Sequence, residues 1–159
     1  MNVKINELIG EIDKCSSHLE RLNELYRQAV KDISDQDRTL EKAVFLSEIF
    51  VNYYTCLETM FFRISQFFEN SLSREHWHSE LLGKMCLRIP DAREAVISDE
   101  TFNLLDEFRK FRHFKRYYYS LDYDWDRLDY LGKQFMKLYA SCPSEIARFK
   151  EFLNHLQSD

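Results

Sequence analysis

The stretch VFLSEIFVNYYTCLETMFFRISQFF, from Val44 to Phe68, settles the class of protein this is. Val44, Phe45, Ile49, Phe50, Tyr53, Tyr54, Leu57, Met60, Phe61, Ile64, Phe67 and Phe68 recur at helical steps, yet they cover more than one face of the helix they define. A helix with one apolar stripe needs one partner; this one needs two. One surface is expected to pack inside the chain and the other against a further helix or a second copy, since monomers seldom leave large apolar patches in water. Glu58 and Arg63 interrupt the apolar run. Each reads either as an exposed charge or, for Glu58 set among aromatics, as a carboxylate placed to orient an arginine.

The neighbouring sequence supplies the partners. Upstream, Ile5, Leu8, Ile12, Cys15, Leu19, Leu22, Tyr26, Ala29 and Ile33 step by threes and fours and predict a long amphipathic helix over about residues 3–33. Ser34-Asp35-Gln36-Asp37 makes the turn, with Asp35 or Asp37 as the expected N-cap of the next helix. Downstream, a short helix is predicted from Arg74 to Leu87, ended by Arg88-Ile89-Pro90. Ser98 or Asp99 caps a helix running to about Ser120, and a last helix begins near Asp124, with Pro143 expected to kink or restart it. Three glycines and two prolines leave few breakers, while 13 phenylalanines and nine tyrosines supply bulky packing material. The fold expected is all-α, one domain over residues 1–159.

Composition limits the function. With 45% hydrophobic and 31% charged residues the chain has the make-up of a soluble globule, and the start of the sequence has no apolar signal core, so a cytoplasmic protein is expected without a membrane span. A formal charge of −5 argues against coating of nucleic acid by a broadly basic surface. Any RNA contact must be local. Cys15, Cys56, Cys86 and Cys142 form no C-x-x-C pair and read as reduced, mostly buried thiols. His76 and His78 splay apart on a helix, which suits surface or boundary histidines better than metal ligands. No glycine-rich phosphate loop is present, and no cofactor or metal is expected.

Local chemistry departs from this average at Phe108-Arg109-Lys110-Phe111-Arg112-His113-Phe114-Lys115-Arg116-Tyr117-Tyr118-Tyr119. On a helix, Arg109, Arg112, His113 and Arg116 form one cationic stripe, with Asp106, Glu107, Lys110 and Lys115 expected off it. Clustered cations repel unless an anion answers them. Guanidinium forks match the oxygens of phosphate, and a histidine among them can move protons. Such a set suits metal-free RNA cleavage, with Arg112, His113 and Arg116 catalytic and Arg109, Glu58 and Tyr117 supporting or binding substrate. The same residues also read as a solvated basic face.

Trp77-His78-Ser79-Glu80-Leu81-Leu82-Gly83-Lys84-Met85, then Ile89-Pro90, Ala95-Val96-Ile97-Ser98 and Phe111-Arg112-His113 resemble the HEPN superfamily, nearest its HepT-like ribonuclease toxins. The resemblance follows the order of helices over about residues 40–155, and its specific motifs lie within about 77–119. It implies a four-helix up-and-down bundle with a short extra helix, dimerising so that the motif helices of two copies line a shared cleft where RNA is cut without metal. It also implies a minimal nucleotidyltransferase antitoxin as partner. Of the family's motif of arginine, histidine and tyrosine, Arg112 matches the first and Tyr119 the last, while Tyr117 stands at the histidine position. The resemblance makes Tyr119 the candidate for adenylate modification and leaves His113 to act as the histidine. One histidine cannot take and give a proton in the same step, whereas a two-fold dimer supplies two. Two functions stay open: an endoribonuclease toxin, or an inactive HEPN-fold protein that binds RNA, a nucleotide or its nucleotidyltransferase.

Overall fold

The computed structural model describes residues 2–31, 33–69, 77–118 and 121–158. It contains α1 (Asn2–Lys31), a 3-10 turn (Asp35–Asp37), α2 (Leu40–Phe68), α3 (Trp77–Met85), α4 (Asp99–Tyr118) and α5 (Trp125–Ser158). No strand occurs among the described residues; Ile89 and Arg93 form one isolated bridge. Among these residues, too, no helix is long and apolar enough to cross a membrane.

The helices form an antiparallel ring, α1 on α2, α2 on α4, α4 on α5 and α5 back on α1. Side chains fix each direction. Tyr26 lies on Phe50 while Cys15 meets Cys56, so α1 and α2 run opposite ways. Phe50 contacts Phe108 and Phe111 across α2 and α4, Phe108 meets Phe135 across α4 and α5, and Asp13 and Asn6 reach Lys150 and Gln157 to close the ring. The short α3 lies against α2 and α4, outside the α1 and α5 pairings.

The broad apolar surface of α2 is spent inside the chain. Phe50, Tyr53, Leu57 and Ile64 are wholly buried, and α2 packs against α1, α3, α4 and, diagonally, α5. Of the two partners expected for its second surface, further helices of the same chain supply the cover. Full burial of each such side chain contributes about 1.5–3 kcal/mol. Only Leu40, Val44 and Phe45, near the start of the helix, stay exposed.

Local chemistry moves several boundaries. Asp35 and Asp37 do not cap α2: the Ser34 hydroxyl donates to Asp37 at 2.6 Å within the 3-10 turn, and Thr39 caps the helix by accepting from the Lys42 N–H. Ser98, not Asp99, caps α4, its hydroxyl accepting from the Thr101 N–H at 3.2 Å while its own N–H donates to Glu145 on α5. Pro143 neither ends nor restarts α5, which runs through it as one helix with the proline ring exposed. Gly132 admits the Tyr26 hydroxyl so closely that a Cβ would collide with it. Between α3 and α4 the chain turns through Asp91, in the left-handed region at φ 60°, and is held by Arg93, whose side chain is fully buried.

Candidate functional site

Glu58 is a carboxylate in the core of α2, 6% exposed. A charge taken that far from water must be paired and hydrogen-bonded. Arg112 answers it from α4 with a two-pronged fork, Nη1 to Oε1 at 2.9 Å and Nη2 to Oε2 at 2.7 Å, and Nη1 also donates to the Thr55 hydroxyl at 3.2 Å. The guanidinium lies over the Tyr54 ring, 4.7 Å from its centre. Burial, then the Glu58 charge, pushes the Tyr54 phenol above its ordinary range, so it stays neutral beneath the pair. Glu58 thus holds an arginine of the predicted stripe.

The same carboxylate reaches a third element. Nδ1 of His78, in the first turn of α3, lies 2.8 Å from Glu58 Oε2, and the Trp77 ring lies against the imidazole with centroids 3.6 Å apart. Above them opens a cavity of about 540 Å³, lined by Glu48, Val51, Thr55 and Glu58 of α2, by Trp77 and His78, and by Arg112, Lys115 and Arg116 of α4. Lys115 is held by Glu48 at 3.1 Å, and Arg116 is exposed at the cavity wall.

The stripe is rotated from its expected position. With Arg112 turned onto α2, steps of about 100° bring Lys115 and Arg116 to either side of it and carry His113 about a quarter turn away. Lys115, expected off the face, lines the cavity, whereas His113 is exposed on α4 and does not. Arg109 turns to Asp106 at 2.7 Å, and Lys110 reaches the same carboxylate at 3.0 Å. Asp106, expected off the stripe, therefore neutralises one end of it. Burial alone would raise the Asp106 carboxyl, but the hydrogen bonds from Arg109 and Lys110 outweigh that and hold it below the usual range. The side chain of Tyr117 and the whole of Tyr119 lie outside the described residues, as does His76.

His78 is what the sequence reading passed over. It is no plain boundary residue: its side chain is 41% exposed yet bonded to a buried carboxylate from another helix. The usable signal was its place beside Trp77, an aromatic that carries it against Phe62 of α2.

The part of the chain that carries this geometry also matches a known family. Residues 45–153, more than half of the chain, match the family described as HepT-like protein. The chain belongs to the HepT-like family, within the HEPN superfamily. The match starts inside α2 and ends inside α5, so it contains every lining residue of the cavity, while α1 lies before it. No curated protein and no solved structure matches this HepT-like chain.

Proposed function

We propose that this HepT-like protein is the toxin of a bacterial toxin and antitoxin pair, a metal-independent endoribonuclease of the cytoplasm whose single domain spans residues 1–159. The observation that carries this is the cavity at Arg112. A guanidinium has five N–H donors, and Glu58 and Thr55 take three of Arg112's through the contacts described above. Donors remain for a phosphate, with Lys115 and Arg116 beside them. Preorganised cations of this kind stabilise the extra negative charge of a pentacovalent phosphate.

The working unit in this proposal is a homodimer whose copies share the cleft, so that a second histidine and a second set of arginines reach the same RNA. Phe45 and Phe114, 46% and 44% exposed on the helices that flank the cavity, suit such a contact. The partner is a minimal nucleotidyltransferase that silences the site by covering it or by adding adenylate to Tyr119; either route brings negative charge to the arginines.

The test is cleavage of a single-stranded RNA by the full chain in excess EDTA, with light scattering alongside. Cleavage, its loss in Arg112→Ala, and a mass twice the 19.3 kDa chain are expected. A second function, binding without cutting, is favoured by one feature: Tyr117 occupies the motif's histidine position. Tight RNA binding with no cleavage would select it.

A further inference from the structure

Glu58 carries more hydrogen bonds than an anchor for Arg112 requires. Its Oε2 accepts from Arg112 at 2.7 Å and also lies 2.8 Å from His78 Nδ1. A carboxylate oxygen only accepts, so that contact requires the imidazole proton on Nδ1. The competing arrangement, Arg112 Nη2 donating to a bare Nδ1, spans 3.5 Å, the outer limit for a hydrogen bond. The shorter contact, to a charged acceptor, decides the tautomer. In the neutral ring Nε2 is then the bare nitrogen. Trp77 lies along the ring and is itself seated on Phe62 at 5.5 Å, so the imidazole is held both at its edge and across its face. The side chain is 41% exposed and borders the cavity with Arg112, Lys115 and Arg116, where a polyanion can reach it.

We infer that His78, held by Glu58 in its Nδ1–H form, is the general base of this cavity and takes the proton of an RNA 2′-hydroxyl. This rests on the ribonuclease function proposed above. Nε2 takes the 2′-OH proton as the 2′-oxygen bonds to phosphorus and the bond from phosphorus to O5′ breaks. The departing O5′ takes a proton from water, and the hydroxide so formed recovers the proton held on His78. The products are a 2′,3′-cyclic phosphate and a 5′-hydroxyl, and the site ends as it began. Arg112 and Arg116 face the phosphate. Glu58 is a positioning residue: its Oε2 is the acceptor that keeps the proton on Nδ1, and an alanine there would remove that acceptor and leave the proton free to sit on Nε2, the nitrogen that must receive one.

The experiment uses the full chain, with ¹⁵N-labelled histidine for ring spectra, a single-stranded RNA for cleavage in EDTA, and an uncleavable 2′-deoxy oligonucleotide for binding. Wild type should show His78 as the Nδ1–H tautomer, and Glu58→Ala should shift the ring toward the Nε2–H tautomer. His78→Ala should cleave about a hundredfold more slowly or worse, the usual worth of a positioned proton-transfer group, with oligonucleotide binding little changed. His155→Ala is the control, its imidazole bonded to the Glu151 carbonyl on α5. If His78→Ala cleaves like wild type, or if His113→Ala carries the loss instead, the assignment of His78 is overturned while the ribonuclease stands. An Nε2–H tautomer in wild type overturns the role of Glu58. A wild type that cuts no RNA overturns the ribonuclease and the step written here together.

Discussion

Cys15 and Cys56 lie 41 positions apart in sequence, yet their sulfurs are 2.8 Å apart between α1 and α2. Either thiol can donate to the other. The hydrogen bond to Cys56, with burial added to it, lifts the Cys15 thiol well above the ordinary range, and the same bond draws Cys56 below it against the effect of its own partial burial. Burial pushes Cys86 up to about 11 and Cys142 up to about 12. A group whose pKa is lowered ionises at lower pH, and the thiolate is the reactive form. Cys56 should therefore be alkylated first by iodoacetamide near pH 8, as read by peptide mass spectrometry; earlier labelling of Cys86 would contradict the stabilisation of the Cys56 thiolate by Cys15. Single residues were unevenly legible. Glu58 could be matched to an arginine because a carboxylate among aromatics has to be paired. His78 could not, because its bond to Glu58 depends on where α3 docks, which no periodicity records.

At the scale of elements, α3 owes its position to a residue outside it. Arg93 donates to the carbonyls of Lys84 and Leu87 at 2.9 and 2.8 Å, satisfying orphan groups at the end of α3, and binds Glu69 just past α2. Its side chain is fully buried and that of Glu69 is 10% exposed. Removing one partner of such a pair typically costs about 3–5 kcal/mol, since the other charge is left buried alone. Arg93→Ala should lower the melting temperature accordingly, and it should loosen the α3 platform that carries His78, seen as broadened His78 ring resonances before the melt. An unchanged melt would show that the clamp is not what seats α3. Helix existence and order were readable from apolar spacing alone. Ends were less so: the sequence pointed to Asp35 or Asp37 as the cap of α2, whereas Thr39 takes that place and Asp37 accepts from Ser34 within the turn. At Pro143 the helix does not restart: a proline penalty of about 3 kcal/mol for a helix interior is set against packing on both sides of it, with Cys142 and Ile146 buried against the core.

For the molecule as a whole, charge is distributed by pairing. The chain is acidic overall, and Arg109, Arg112 and Lys115 are each answered by a carboxylate of the chain. In the proposed function RNA would have to compete with these internal partners, and few counterions would be released on binding. For roughly two to three phosphates neutralised in a single strand, the slope of log affinity against log salt should be about −1.5 to −2. A slope several times steeper would place the RNA across a wider basic surface than this cavity. The bundle class was legible because α2 is apolar on several sides. The number of partners that cover it was not, because spacing shows how much surface must be buried and not which helix buries it.

The contact of Gln157 with Asn6, at 2.7 Å, sets the far end of α5 beside the near end of α1. The ring of helices thus has its seam wherever the chain happens to be cut. Joined by a short flexible linker from residue 158 to residue 2 and reopened at the Asp35–Asp37 turn, the same side chains could meet in a circular permutant, because domains whose ends lie close tolerate such rewiring. In that order α1 would fold last, behind α5, and would leave unchanged the residues 45–153 that carry the family match. A permutant that melts cooperatively would identify α1 as a movable stave of the barrel-like bundle, joined to its neighbours by surface rather than by its place in the reading order.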